Sequence, residues 1–245
     1  MPVHSRNEFT IEDFFKTMIP PENPEDRAIE YLKARGFLID NNEGRWLVSD
    51  NSHPDDANDL DQILQEYELG EVAGDEIVIT NPENAEQLRK LFTGQKSFQL
   101  CMCYDSFRGS IDYFCTRVYG LKVPVMKMDP FVARYIKAIS ACGLITETSC
   151  DGNDHAGRKF HVGLAGKPNT FWHQVLWNGF LSRKFDVRWD RNGKEFSTRI
   201  SGKFRQYTEI NRAAEFLYEN RVRMRELKQN NRDFVREVVR IDSEE

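Results

Sequence analysis

The sequence predicts an α+β fold, with a small mixed α/β, winged-helix-like domain over residues 1–96 and an αββαββα module with an antiparallel sheet over residues 97–245. After residue 129, segments with helical spacing of apolar residues alternate with segments of period two. Two such alternating segments flank Asn192-Gly193, a strong hairpin signal. The net charge is −12 over residues 1–100 and +7 over residues 101–245, which places the domain boundary where the sign changes.

The N-terminal domain is predicted to contain short helices and strands. Asn23 and Pro24 are typical of a helix start and Gly36 of a helix end, so residues 8–36 divide into two helices. Residues 50–59 are turn-forming and acidic, which predicts an exposed loop. The remaining elements are a strand over residues 46–48, a helix over residues 60–67, a strand over residues 76–80 and a helix from Asn81 to Phe92.

The C-terminal module carries clearer signals. Asp129 suits the N-cap and Pro130 the first position of a helix that Gly143 ends. A strand over residues 98–104 and a helix over residues 106–120 are predicted before it. After it come strands over residues 144–149 and 159–165, a helix over residues 169–182, strands over residues 185–190 and 195–200, and a long helix over residues 207–239.

Charge is distributed unevenly along the chain, and this bears on its partners. Twelve carboxylates lie within residues 50–86, and no Lys or Arg occurs between Arg45 and Arg89. Residues 156–203 hold ten basic residues against three acidic ones, which favours DNA or RNA as the partner. The acidic segment 50–86 would then cover the basic face or bind another protein as a mimic of a phosphate backbone. Alternatively, both regions are ordinary solvated surfaces.

Basic and aromatic side chains interleave in the basic region, a pattern that suits phosphate neutralisation and base stacking. The candidate nucleic-acid-binding residues are Lys159, Arg183, Lys184, Arg188, Arg191, Lys194, Arg199, Lys203 and Trp189. Strand alternation places Arg188 and Asp190 on one face and Val187 and Trp189 on the other, so Trp189 alternatively packs beneath the helices.

The segment from Cys150 to His161 concentrates thiol, carboxylate and imidazole groups. If the protein is an enzyme, the candidate catalytic residues are Cys150, Asp151 and His155, because a polar loop between strands can direct such groups to one point. The candidate zinc ligands are Cys150, His155, His161 and His173. Neither a CxxC nor an HxxxH pair is present, and a hydrogen-bonded turn beside a buried Cys150 explains the segment without any site.

The order of elements from Asp129 onward resembles the topology of LAGLIDADG homing endonucleases over about 100 residues. At the end of the first helix, ACGLITET (residues 141–148) resembles their motif, with Gly143, Leu144 and Ile145 matching. The resemblance implies a basic four-stranded antiparallel sheet that lies in the DNA groove.

The same resemblance argues against cleavage. In that family an acidic residue of the motif binds the catalytic metal, whereas Thr146 and Thr148 occupy the two aspartate positions here. A threonine hydroxyl supplies no negative charge to a hard cation. Glu147, between them, is expected on the opposite face of an extended strand. No nuclease activity is therefore expected.

A second segment, TETSCDG (residues 146–152), resembles the Ser-Cys-Ser-Gly strand end of the tRNA wybutosine-synthesis methyltransferase family over about 40 residues. This resemblance implies a site for S-adenosylmethionine and tRNA. That family has an Arg after the Gly, where this chain has Asn153, and the nearest Arg here is Arg158.

The sequence therefore favours an accessory nucleic-acid-binding protein that uses a basic antiparallel sheet without nuclease activity and without a cofactor. The alternatives are a nucleotide- or tRNA-modifying enzyme centred on the Cys150–His161 loop, and an interaction inhibitor whose acidic segment mimics nucleic acid.

No apolar run is long enough to cross a bilayer, and the first 20 residues lack the features of a secretion signal, so we expect a cytoplasmic protein without a membrane partner. Five cysteines, an odd number, argue against a disulfide framework.

Overall fold

The computed structural model describes residues 11–18, 21–93, 124–144, 146–150, 159–165, 186–192, 195–203 and 206–226. Its helices and antiparallel sheets confirm the predicted α+β class. The α-helices are α1 (Ile11–Met18), α2 (Pro24–Arg35), α3 (Pro54–Glu66), α4 (Pro130–Ala141) and α5 (Tyr207–Glu219). The strands are β1 (Ile39–Asn42), β2 (Arg45–Val48), β3 (Gly70–Ala73), β4 (Glu76–Ile79), β5 (Thr146–Cys150), β6 (Lys159–Ala165), β7 (Asp186–Asn192) and β8 (Glu195–Lys203). Two 3₁₀ helices cover Pro82–Phe92 and Val125–Lys127.

The first sheet is antiparallel, with the strand order β1-β2-β4-β3. β2 and β4 confirm the strands predicted at residues 46–48 and 76–80. β1 and β3 are not predicted from the sequence, because IDNN and GEVA are short and contain few apolar residues. Their partners stabilise them, since Ile39 pairs with Val48 and Val72 pairs with Ile77.

The loop expected at residues 50–59 is confirmed for residues 50–53 but is wrong from Pro54, where helix α3 begins. Proline at the first helical position loses no intrahelical hydrogen bond. His53 caps the helix: its Nδ1 accepts a hydrogen bond from Asp55 N at 3.0 Å, and its own N–H donates to Asp56 Oδ2 at 3.0 Å. The turn-forming residues of this segment therefore start a helix.

The second sheet is antiparallel, with the strand order β5-β6-β8-β7. β7 and β8 confirm the predicted hairpin, and Asn192 pairs with Glu195 next to the turn. The strand predicted at residues 98–104 and the helices predicted at residues 106–120 and 169–182 lie outside the described residues.

The ends of α4 and α5 differ from expectation. Asp129 is the N-cap of α4, as predicted, but its side chain makes no capping hydrogen bond. Gly143 follows the end of α4 with a φ of 89°. The predicted long helix is interrupted at Asn220, whose Nδ2 donates to Phe216 O at 2.8 Å, before helical turns resume over residues 221–226. None of the helices among the described residues has both the length and the apolar composition of a membrane span.

One hydrophobic core contains residues from both sides of the predicted domain boundary. The rings of Phe14 in α1 and Phe131 in α4 lie 4.9 Å apart, and Phe131 lies 5.2 Å from Tyr207 in α5. Tyr207 in turn lies 5.4 Å from Phe160 in β6. α4 and α5 thus form a layer between the N-terminal elements and the second sheet. The division into domains 1–96 and 97–245 stays a prediction.

Buried polar contacts also cross that boundary. Lys137 Nζ of α4 donates to Asp56 Oδ2 of α3 at 2.8 Å, and the two side chains are 0% and 1% exposed. Val125 N donates to Asp56 Oδ1 at 2.7 Å. Arg35 Nη1 and Nη2 donate to the carbonyls of Val125 and Met128 at 3.0 and 3.2 Å. Because buried charges require close partners, these contacts fix how α2 and α3 pack against residues 124–137.

Candidate nucleic-acid interface

The two faces of the second sheet are defined by burial along β6 and β8. Phe160, Val162 and Ile200 are buried, and the side that they occupy, against α4 and α5, is called the inner face. Successive residues of a strand alternate between faces. The positions that begin with Lys159 and Lys203, which are both exposed, therefore form the outer face.

Basic positions meet in register on the outer face. Lys159 of β6 pairs with Lys203 of β8, and Arg188 of β7 pairs with Arg199 of β8. Like charges directly opposite each other destabilise an antiparallel pair. An anion bound at these positions would relieve that repulsion.

Acidic positions share the outer face but are concentrated towards the hairpin. Asp190 pairs with Ser197, and Glu195 pairs with Asn192 next to the turn. Asp186 lies farther from the turn, opposite Ser201. The outer face therefore has an acidic end at the hairpin, with both basic pairs farther from it.

The register separates some of the predicted nucleic-acid-binding residues. Trp189 pairs with Thr198 and Arg191 with Phe196, and these are inner-face positions because they alternate with Arg188 and Arg199. Arg183, Lys184 and Lys194 lie outside the described residues.

Two candidates from the cysteine- and histidine-rich segment are brought together. Cys150 of β5 pairs with His161 of β6 on the outer face. Asp151, His155 and His173, which complete the catalytic and zinc proposals, lie outside the described residues. In the part of the chain that the structure describes, no group of three or more His, Cys, Asp or Glu residues could hold a metal ion.

The strand that carries the LAGLIDADG-like segment is irregular. Thr146 pairs with Leu164 and Thr148 with Gly163, so the register shifts between them and Glu147 is an extra residue. A β-bulge of this kind interrupts the alternation of a strand. The expectation that Glu147 lies opposite both threonines assumed a regular strand and does not hold. Thr146 itself is 8% exposed.

The acidic segment 50–86 belongs to the N-terminal elements, which contact α4 through the 3₁₀ helix Pro82–Phe92 and through Asp56. Eight of its twelve carboxylates are exposed. Asp56 is buried against Lys137 and contributes nothing to a surface that could mimic phosphates. Beyond its own sheet, α3 contacts the 3₁₀ turn Val125–Lys127, while α4 contacts β5 and β6.

A charged cavity of about 230 Å³ lies between α2, residues 37–41, α4 and α5. Asp40 Oδ1 accepts hydrogen bonds from Tyr218 Oη at 3.0 Å and from Arg221 Nη2 at 2.9 Å. Burial raises the pKa of Tyr218 and lowers the pKa of Lys33. These residues carry no signal in the sequence, because each one looks like an ordinary surface position of its own element.

Comparison of the chain with protein-family models, curated proteins and solved structures finds no match.

Proposed function

We propose that this protein binds nucleic acid through the outer face of its second sheet and does not cleave it. The observation that carries the proposal is the pairing of Lys159 with Lys203 and of Arg188 with Arg199. Phosphate groups neutralise such cations, and the release of condensed counterions favours binding.

The packing of the second sheet also favours its outer face as the surface that contacts nucleic acid. The inner face holds Phe160, Val162 and Ile200 against the helices and belongs to the core. The exposed carboxylates of segment 50–86 belong to the N-terminal elements and would repel a phosphate backbone. A polyanion would thus be repelled by these elements and attracted to the outer face of the second sheet.

The experiment measures fluorescence anisotropy of labelled duplex DNA, single-stranded DNA and RNA with the full chain. One test variant is Lys159→Gln/Lys203→Gln, and the other is Arg188→Gln/Arg199→Gln. We expect each to weaken binding and to reduce the slope of log K against log salt by about 1.8 for duplex DNA, or about 0.9 for each lost phosphate contact. Measurements at several salt concentrations give this slope.

The matched control is Arg212→Gln/Arg223→Gln, which removes two exposed charges after the sheet. We expect this control to leave the slope almost unchanged, although its net charge changes equally. Equal losses in all three double variants would show a general charge effect and contradict the proposal. So would an absence of binding at low salt.

The expected lack of cleavage rests on Thr146 and Thr148, which supply no carboxylate to a metal ion. Supercoiled plasmid incubated with the protein and Mg²⁺ or Mn²⁺ should remain intact. Nicking that Glu147→Gln or Asp151→Asn abolishes would show that another carboxylate serves as the metal ligand.

A further inference from the structure

We propose that the cavity between α2, α4 and α5 binds a small monocarboxylate with a short hydrocarbon body, and that the ammonium group of Lys33 is its counterion. The cavity lies among the helices, and no described residue of the second sheet lines it. The support comes from three parts of the cavity: its cations, its apolar floor (Phe37, Ile39 and Ala138) and its acidic rim (Glu215 and Glu219).

Two of the three cations that line the cavity already have carboxylate partners. Arg134 Nη1 lies 2.6 Å from Glu30 Oε1, and its Nη2 lies 4.0 Å from Glu215 Oε1. Arg221 Nη2 lies 2.9 Å from Asp40 Oδ1. Neither guanidinium therefore requires an added anion.

Lys33 differs from the two arginines. Its Nζ lies 4.6 Å from the centre of the Trp46 ring, and it makes no hydrogen bond or ion pair with another described residue. Burial lowers its pKa, and this effect outweighs the nearby carboxylates, of which Glu30 acts most strongly. A partly desolvated ammonium group without a contacting anion is unfavourable, and a ligand carboxylate would remove that penalty.

The floor and rim restrict the rest of the ligand. Phe37, Ile39 and Ala138 line the cavity with buried apolar surface, which suits a hydrocarbon chain. Glu215 and Glu219 line it as exposed residues, so they would repel a second negative charge. The volume of about 230 Å³ limits the ligand to a small molecule.

The experiment compares three six-carbon probes by isothermal titration calorimetry: hexanoate, hexan-1-ol and adipate. We expect hexanoate to bind the full chain about tenfold more tightly than hexan-1-ol, because it gains a charge-assisted hydrogen bond. Adipate should bind more weakly than hexanoate, because its second carboxylate meets the acidic rim. Chemical-shift changes in ¹⁵N-labelled protein should concentrate at residues 37–41 and at the Trp46 indole.

The variant Lys33→Met should reduce the preference for hexanoate over hexan-1-ol to less than about twofold. Lys90→Met is the matched control, because Lys90 Nζ also lies over an aromatic ring, 5.6 Å from the centre of Tyr67, and does not line the cavity. A preference retained in Lys33→Met would overturn the proposal. Equal binding of hexanoate and hexan-1-ol by the unaltered protein, or no hexanoate binding up to about 10 mM, would also overturn it, whether or not the variant folds.

Discussion

Removing Lys137 tests whether a buried ion pair stabilises the contact between α3 and α4. Lys137 Nζ lies 2.8 Å from Asp56 Oδ2, and both side chains are almost fully buried. In Lys137→Met a flexible apolar side chain replaces the charged one, and the Asp56 carboxylate loses its cation. Two backbone donors, His53 N at 3.0 Å and Val125 N at 2.7 Å, continue to bind that carboxylate.

The expected loss of stability follows from those contacts. Breaking a buried ion pair by removing one partner costs about 3–5 kcal/mol. Because two N–H groups still stabilise the carboxylate, we expect Lys137→Met to lower the free energy of unfolding by about 3 kcal/mol, near the lower end of this range. Asp56→Asn should also lower the free energy of unfolding, because it removes the carboxylate that lies 2.8 Å from Lys137 Nζ. The double variant removes both charges of this ion pair, so its cost should fall short of the sum of the two single effects by about 2–3 kcal/mol.

Urea unfolding at neutral pH, followed by far-ultraviolet circular dichroism, measures each free energy. Lys127→Met is the matched control, because Lys127 lies in the neighbouring Val125–Lys127 turn and is exposed. Its effect should stay within about 0.5 kcal/mol. The reasoning is refuted if Lys137→Met costs no more than Lys127→Met, or if the two single effects simply add in the double variant.

Two further predictions concern backbone strain and pH. Gly36 has a φ of 117°, and a Cβ there would lie 2.8 Å from Ala133 Cβ of α4, whereas a Cβ at Gly44, with a φ of 87°, would have no neighbour within 4 Å. In urea titrations, Gly44→Ala should lower the free energy of unfolding by about 1–2 kcal/mol, because of backbone strain alone. Gly36→Ala should lower it by about 1–3 kcal/mol more, because its Cβ also clashes with Ala133. Equal losses in the two variants would contradict this prediction. Burial raises the pKa of the Cys142 thiol to about 12, so the folded protein keeps a proton that the unfolded chain loses above its ordinary pKa of about 8.5. The resulting stabilisation is complete well below pH 8.5 and decreases as pH rises towards 12, by about 2 kcal/mol between neutral pH and pH 10. Cys142→Ala should reduce this decrease when unfolding is measured at several pH values, and an unchanged slope would count against a buried, neutral thiol.

Local sequence signals predict several elements of this fold correctly. Asn23 and Pro24 begin α2, and Asn23 Oδ1 accepts a hydrogen bond from Glu25 N at 2.9 Å, as an N-cap should. β7 and β8 pair as neighbouring strands on either side of the predicted turn signal, with Asn192 opposite Glu195. Such signals succeed because the interactions that produce them join residues close together in the chain.

The same signals fail where a distant partner stabilises the element. β1 has four residues, of which two are exposed, and its pairing with β2 makes it a strand. Residues 50–59 resemble a loop in composition, but His53 and Asp56 cap a helix there. For the candidate interface, alternation along β7 predicts that Arg188 and Trp189 occupy opposite faces of the sheet. Only the register between β7 and β8 shows that Arg188 pairs with Arg199.

Composition and periodicity were sufficient to predict the α+β class, the helix α4, the β7–β8 hairpin and the opposite charges of the two halves. These properties depend on residue type and on spacing within about one turn or one strand. The buried pair of Asp56 and Lys137 joins residues 81 positions apart, and the cavity beside Lys33 requires α2, α4 and α5 together. Contacts over such distances in the chain form through packing of complete elements, and no local pattern in the sequence records which surfaces will meet.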